Sequence, residues 1–402
     1  MKKQIIVSLL IIIVLVTATV LVVLFGSGYR LGLGGNGAII SGTGLLVATS
    51  SPNGAQVLIN GHLTTATDNT INLAPGDYDV KIFKEGYFPW EKKITIKKEV
   101  VSKADALLFP SAPVLESITN IGIQSPVVDP GKTKIAYLVA SQSAVKNGIY
   151  ILDMSSRPIL TLQNSSNQVV NDTTNSFSLS SIKWSPDSNQ ILATIPGKSS
   201  PTTYLLQSTT LNDNPQDVTE TIATVNTAWD KLKTEKEKAL IDSLSKKLKL
   251  TVAEDFNILE WSGDQTKILY QASQSATLPQ IITPPLIGTD STPQTRDIKK
   301  GSVYVYDIKE DRNYKILDTL PKTTEINTLL PIKWYPDSKH LIYIHDQKID
   351  IMEYDGGNQT TVYAGPFVDD YVFPWPDATK IVILTNLGNP NITPNLYTIG
   401  LK

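Results

Sequence analysis

The chain has 402 residues, 41% of them hydrophobic and 18% charged, and its 36 Lys plus Arg against 38 Asp plus Glu leave a net charge of −2. That much apolar material builds packed cores, and a near-neutral chain lacks the basic footprint that grips phosphates, so no nucleic acid partner is expected. With no Cys and only His62, His340 and His345, the chain excludes disulfides, zinc–thiolate sites, iron–sulfur clusters and cysteine nucleophiles, and no cofactor is expected.

Residues 5–25, IIVSLLIIIVLVTATVLVVLF, run 21 residues without a charge. At 1.5 Å per residue such a helix is about 30 Å long, the thickness of a bilayer's hydrocarbon layer. Lys2 and Lys3 precede the run and Arg30 alone follows it closely, so the positive-inside bias puts the amino terminus in the cytoplasm and residues 31–402 outside. An uncleaved anchor within residues 1–30 is expected rather than a cleaved signal, because the run is long and no small-x-small site follows near Phe25. The glycine-rich residues 31–44 read as a flexible linker. Within them Gly32, Gly34 and Gly37 satisfy G-x-G-x-x-G, but that motif binds phosphate only between a strand and a helix, so it reads as linker composition.

From residue 45 to 109 the pattern becomes short alternating runs, LLVATS, AQVLIN, YDVKIF and KKITIK, each read as a strand. Asn60-Gly61, Pro75-Gly76 and Glu85-Gly86 read as turns. The order SPNGAQVLING followed by APGDYDVKIFKEGYFPW resembles the PEGA domain, on Ser51, Pro52, Gly54, Ala55, Asn60, Gly61, Pro75, Gly76, Tyr78, Val80, Gly86 and Tyr87. Asn53 stands where that family's eponymous Glu is usual, and the Thr-Pro often seen later is the Pro-free Thr64-Thr65-Ala66-Thr67. The resemblance implies a small β-sandwich on a surface-exposed envelope protein. Tyr87, Phe88 and Trp90 are a candidate binding surface for a polymer or partner, since aromatic rings give large contact area at low entropy cost.

Residues 110–402 contain a repeat: VVDPGKTKIAYLV, IKWSPDSNQILAT, ILEWSGDQTKILYQ, IKWYPDSKHLIYI and VFPWPDATKIVIL. Aligned on Ile135, Ile191, Ile268, Leu341 and Ile381, the copies are 56, 77, 73 and 40 residues apart, a propeller blade with insertions. Each reads as strand, Asp-containing turn, strand, with a third strand after it. RPILTLQ, QDVTETI, NYKILDT and QTTVYAG are the fourth-strand candidates, and the last copy runs out before its fourth. PVLESIT at 113–119 can supply it and close the ring, so five blades are expected, or six if an insertion hides a degenerate one. The W-S-P-D repeat resembles TolB-type propellers, although Ser188, Gln265, Ser338 and Ala378 stand where that family has Gly, which suggests a different turn type. Trp184, Trp261 and Trp334 read as core or inter-blade residues.

Two insertions interrupt the repeat. Residues 217–250 carry apolar residues at helical spacing, with Asp217 and Glu220 set as a capping box. Lys231, Lys236, Lys246 and Lys247 make this insertion a candidate partner-docking helix. Residues 277–300 are Pro-rich and read as an extended loop.

No G-x-S-x-G, Walker A, H-E-x-x-H or EF-hand pattern occurs. His345-Asp346 and Asp369-Asp370 are the polar clusters, and neighbours on a strand face opposite ways. The expected protein is mainly β: a transmembrane helix, a PEGA-like sandwich and a TolB-like propeller with a helical insertion. Its expected function is non-catalytic binding or scaffolding of an envelope polymer or protein partner. The alternatives are a propeller hydrolase or lyase, or a subunit of an envelope complex docked through the Lys-rich helix.

Overall fold

The computed structural model describes residues 2–26, 29–34, 37–155, 166–321, 329–368 and 371–402. They fall into two compact units, Met1–Ser111 with Ile282–Gln294, and Ala112–Ile281 with Thr295–Lys402.

The first unit opens with helix α1, Lys2–Gly26. Its stretch Ile6–Val23 has a mean hydropathy of 3.2, lies wholly exposed, and is long and apolar enough to be a membrane span or a signal sequence. The glycine-rich stretch that follows pairs as an antiparallel ladder, Tyr29–Gly34 with Gly37–Gly42, in place of the expected flexible linker. Leu31, Leu33, Ile39 and Ile40 supply strand-forming residues among the glycines, and glycine itself does not block a backbone ladder. Gly32, Gly34 and Gly37 therefore lie on paired strands, not on a strand-to-helix turn.

A sandwich follows. One sheet has Gly44–Ser51 at its centre, antiparallel to Asn69–Leu73 and parallel to Val101–Leu107. The other orders His62–Ala66, Gln56–Ile59, Gly76–Phe83 and Trp90–Ile96. Alternate residues meet between the sheets, Leu46, Ala48, Val57, Ile59, Val80, Ile82, Ile94, Ile96, Ala104 and Ala106, as the period of two requires. The Asn60-Gly61 turn has φ of 49° and 80°, the left-handed pair that a two-residue hairpin demands. Segment Ile282–Gln294 belongs to this unit: Ser291 Oγ accepts from Thr95 N at 3.1 Å and Asp290 pairs with Lys92 at 3.0 Å. It thereby covers Trp90–Ile96, an edge strand with unpaired backbone groups.

The second unit is a ring of five four-stranded antiparallel sheets among the described residues. The first strands of the first four sheets are Gln124–Val128, Ser181–Trp184, Phe256–Trp261 and Ile332–Trp334. The fifth sheet runs Val372–Pro374, Lys380–Thr385, Asn395–Gly400 and then Leu115–Ser117, so the strand expected to close the ring does so. Thr119 and Asn395 secure it: Asn395 Oδ1 accepts from the Thr119 hydroxyl and from Gly122 N, both at 3.0 Å. The fourth strand of the first sheet is Ser166–Asn171, and the candidate RPILTLQ lies outside the described residues.

The turn joining the first two strands of each sheet has one geometry throughout. Lys132, Ser188, Gln265, Ser338 and Ala378 all sit at φ between 56° and 63°. These residues thus hold the left-handed conformation that Gly would adopt freely. A carboxylate closes it in every copy: Asp187, Asp264, Asp337 and Asp377 each accept from a backbone N–H two residues on, at 2.8–3.2 Å. In the first copy Asp129 bonds to Gly131, Thr133 and Lys134 N–H instead. An L-residue held left-handed costs about 1–2 kcal/mol, while glycine's extra freedom when unfolded returns about 0.5–1. Ala378→Gly is therefore expected to stabilise the propeller by up to about 1 kcal/mol in urea titration. Ser338→Gly is not, because the Ser338 hydroxyl accepts from Asp264 N at 3.0 Å and that bond would go.

Two helices, α2 (Ile222–Asp242) and α3 (Lys246–Asp255), form the insertion between the second and third sheets. The expected capping box is not made. Asp217 instead accepts from Thr219 N and its hydroxyl, a tight local turn, and α2 starts one turn later at Thr221. Ser245 caps α3, accepting from Leu248 N.

Candidate functional site

Residues at the ends of several first strands reach to the neighbouring sheets in both directions around the ring. Trp184 Nε1 donates back to Val127 O of the first sheet at 3.0 Å, and Trp334 Nε1 donates back to Glu260 O of the third at 3.2 Å. The preceding residue points forward: Lys333 Nζ donates to Val372 O at 3.0 Å, and Glu260 Oε2 accepts from Trp334 N at 2.8 Å. Trp184 and Trp334 are thus inter-blade residues, and the half-buried Trp261 packs on the third sheet's own cluster. Turns link to turns on the same face, Gly131 N to Ser188 Oγ at 3.2 Å and the Tyr335 hydroxyl to Ala378 O at 2.6 Å.

Between the second and third sheets this pattern changes. The second sheet's far face, Leu192 and Leu205, is covered by Ile222, Val225 and Trp229 of α2. The third sheet's near face, Ile268, Tyr270, Tyr304 and Tyr306, is covered by Leu244, Leu248 and Val252. Lys183, which would point forward to the third sheet, donates to Asn226 of α2 at 2.8 Å and lies 5.9 Å from the Trp229 ring. The helical insertion is a wedge in the ring.

A cleft of about 660 Å³ opens beside the wedge, walled by Pro130 and Gly131, by Trp184, Pro186 and Ser188, and by α2 from Trp229 to Leu240. Lys233, Lys236, Asp230 and Glu237 of α2 and Lys183 and Asp187 of the second sheet line it, so its lining carries both signs in equal number beside Trp184, Trp229 and Leu240. That volume is in the range of a pocket that buries a small ligand or a short extended segment. Next to it Lys132 reaches past the second sheet to pair with Glu260 of the third. Burial pushes the Lys132 ammonium down to about 8. Neither residue was legible as a site, because the repeat pattern shows Glu260 only as an odd acid where Lys183 and Lys333 stand.

The expected site residues are dispersed. Trp90 is 3% exposed and packs in the sandwich core, which corrects its reading as a surface ring: its strand position, not its chemistry, turns it inward. Tyr87 is half-buried against the same core and bridges to Pro110, and Phe88 is half-buried. Phe83, on the neighbouring strand, is exposed. Lys236 donates to Pro186 O at 2.6 Å and Lys247 to Gln280 O, so both hold the helices to the propeller. Lys231 is exposed opposite Glu235 at 4.0 Å, and Lys246 is exposed at the start of α3.

Of the polar clusters, Asp369-Asp370 lies outside the described residues. His345 Nε2 contacts Asp350 at 2.9 Å and its Nδ1 contacts Asp346 at 3.2 Å. Partial burial alone would lower its pKa, but the bonds to Asp350 and Asp346 outweigh it and raise it above the ordinary value. A raised folded-state pKa stabilises fully below the unfolded value near 6.5 and fades as pH rises through the folded value. The melting temperature of the native chain should therefore exceed that of His345→Gln most below pH 6.5, with the gap closing as pH rises beyond it. A gap that is flat in pH would show that the imidazole titrates the same way folded and unfolded.

These features define a mainly β protein with an apolar amino-terminal helix, a small sandwich and a β-propeller. Residues 43–111 match the PEGA domain family, and the sandwich is that domain. No curated protein matches the chain. Among solved structures, the putative TolB from Agrobacterium tumefaciens is 13% identical, with 69% of this chain and 72% of that one covered and a TM-score of 0.21. TolB from Acinetobacter baumannii is 14% identical, with 81% and 60% covered and a TM-score of 0.22. An oligogalacturonate lyase in complex with manganese is 11% identical, with 83% and 80% covered and a TM-score of 0.22.

Proposed function

We propose that this chain is a membrane-anchored extracytoplasmic protein that acts without catalysis, binding or scaffolding a cell-envelope polymer or a protein partner. The observation that carries this reading is the wholly exposed apolar helix α1 leading, within about twenty residues, into a PEGA domain. Lys2 and Lys3 ahead of the helix support a cytoplasmic amino terminus. The rings of Phe83, Tyr87 and Phe88 and the cleft beside α2 are the surfaces on which such binding would act.

Two measurements test it. In intact cells, an epitope after Lys402 should be open to added protease while one before Lys2 is protected; the reverse pattern would remove the extracytoplasmic assignment. Residues 31–402 should pellet with isolated envelope polymer through a salt series, or else capture a defined envelope protein. Failure of both would remove the binding role.

A further inference from the structure

We propose that the junction between the second and third sheets is a hinge in the propeller ring, and that the Lys132–Glu260 pair is its latch. The junctions differ in kind. The first and second sheets share one buried cluster, from Ala136, Leu138, Ile149 and Ile151 to Trp184, Ile191, Ala193 and Leu206. The third and fourth share another, Leu269, Val303 and Val305 with Ile332, Trp334, Leu341 and Met352. The fifth and first share a third, through Phe373, Val382 and Leu384 with Ile135, Tyr137 and Val139. Direct bonds from Lys333 and Tyr335 join the fourth to the fifth.

The second and third sheets instead meet through two separate packings that part company in the middle of the insertion. Trp229, Val225 and Ile222 fix α2 to the second sheet, and Lys236 bonds its far end to the Pro186 carbonyl there. Leu248 and Val252 fix α3 to the third sheet, and Lys247 bonds to the Gln280 carbonyl of that sheet's own excursion. Only Ser243, Leu244 and Ser245 lie between the helices, with Ile241 and Leu244 seated in the α3 cluster as the pivot. A few residues between two rigid, separately packed bodies are what a hinge requires. From Lys231 to Ala239 the α2 surface is exposed, so no buried packing along this stretch ties it to the third sheet.

Across that joint run two ion pairs among the described residues: Lys249 of α3 holds Asp242 at the end of α2 at 3.0 Å, close to the pivot, and Lys132 holds Glu260 further out. Lys132 comes from the first sheet's turn, which Gly131 N–H and the Lys134 ammonium tie to Ser188 of the second sheet, and Glu260 from the third sheet, where Trp334 N–H fixes its other oxygen. The pair thus ties the two sides of the joint directly, beside the cleft. Such a partly exposed pair is strong enough to bias a two-state element and weak enough to release it. Opening would part α2, with the second sheet and the cleft they line, from α3 and the third sheet.

The test uses the full chain in nanodiscs, and the absence of Cys makes site-directed spin labelling direct. Labels at Lys233→Cys and Glu254→Cys, on α2 and α3, report the hinge; labels at Glu254→Cys and Lys348→Cys, on α3 and the fourth sheet, report a rigid junction. Lys132→Met should add a longer, broader distance population to the first pair, several-fold above wild type, and leave the second pair unchanged. Lys132→Arg, which keeps the charge and reach, should behave as wild type. Should Lys132→Met fail to fold, Glu260→Gln gives the same reading. An unchanged first pair, or equal broadening of both pairs, would overturn the hinge; broadening in Lys132→Arg equal to that in Lys132→Met would overturn the latch.

Discussion

Replacing Asp311 with Asn is expected to cost the propeller about 3–5 kcal/mol, the penalty for leaving a buried charge without its partner. Asp311 is 1% exposed, and its carboxylate accepts from the Tyr306 hydroxyl at 2.5 Å, Gln280 Nε2 at 2.8 Å and Ile281 N at 2.7 Å. Arg296 pairs with it at 3.1 Å and also donates to the Pro279 carbonyl at 2.9 Å. These bonds close the root of the Pro-rich excursion, where Ala276–Thr277 pairs with Asp297–Ile298. Asn fits the same space and tolerates the φ of 52° at this position, so backbone strain is not part of the loss. What goes is the charge that Arg296 needs, together with one of two accepting oxygens, whose place an amide NH2 takes among donors. Urea unfolding should show the drop, and protease cleavage within residues 282–294 should accelerate before the ring unfolds. Loss of less than about 1 kcal/mol would mean that water replaces the carboxylate at this root.

Trp90→Ala should be as severe for the PEGA domain. Removing a buried Trp typically costs about 3–5 kcal/mol, and a domain of this size has little more than that to lose. Trp90 packs with Ile82, Ile94 and Ile96 in the single core of the sandwich. Hydrogen exchange along Gly76–Phe83 should rise toward unfolded rates in Trp90→Ala while the propeller strands keep their protection. Phe88→Ala, at a half-buried ring, should leave both units folded. If an envelope polymer binds through these rings, Phe88→Ala weakens pelleting in a folded protein, whereas Trp90→Ala weakens it only by unfolding the domain. Folded Trp90→Ala would show that the sandwich core repacks around the lost ring.

The repeat was readable because its signals are local. Strand, Asp turn and strand recur within about a dozen residues, and the turn's carboxylate meets backbone N–H groups only two residues away. Closure by residues 113–119 was readable from counting, since one sheet lacked a strand and one strand lacked a sheet. Several sandwich strands were not. His62–Ala66 and Asn69–Leu73 are short and largely exposed, and Val101–Leu107 turns Ser102, Ala104 and Ala106 inward, too small to mark an apolar period.

The site residues show the same division more sharply. Helical spacing in residues 217–250 revealed an amphipathic insertion, but Lys236 and Lys247 spend their charges on propeller carbonyls that lie far away in sequence. Trp90 sits in an aromatic run that reads as a platform, and strand alternation alone turns it inward. The sequence by itself determined the apolar helix, the PEGA turns and the five-fold strand pattern, because each depends on residues within one or two turns of chain. Only the tertiary structure decided that the insertion wedges between two sheets, and that Lys132 and Glu260, 128 positions apart, meet beside the cleft. Hydrophobic burial says that a face must be covered and not by what, so the choice between a neighbouring sheet and a helix is made only when the ring closes.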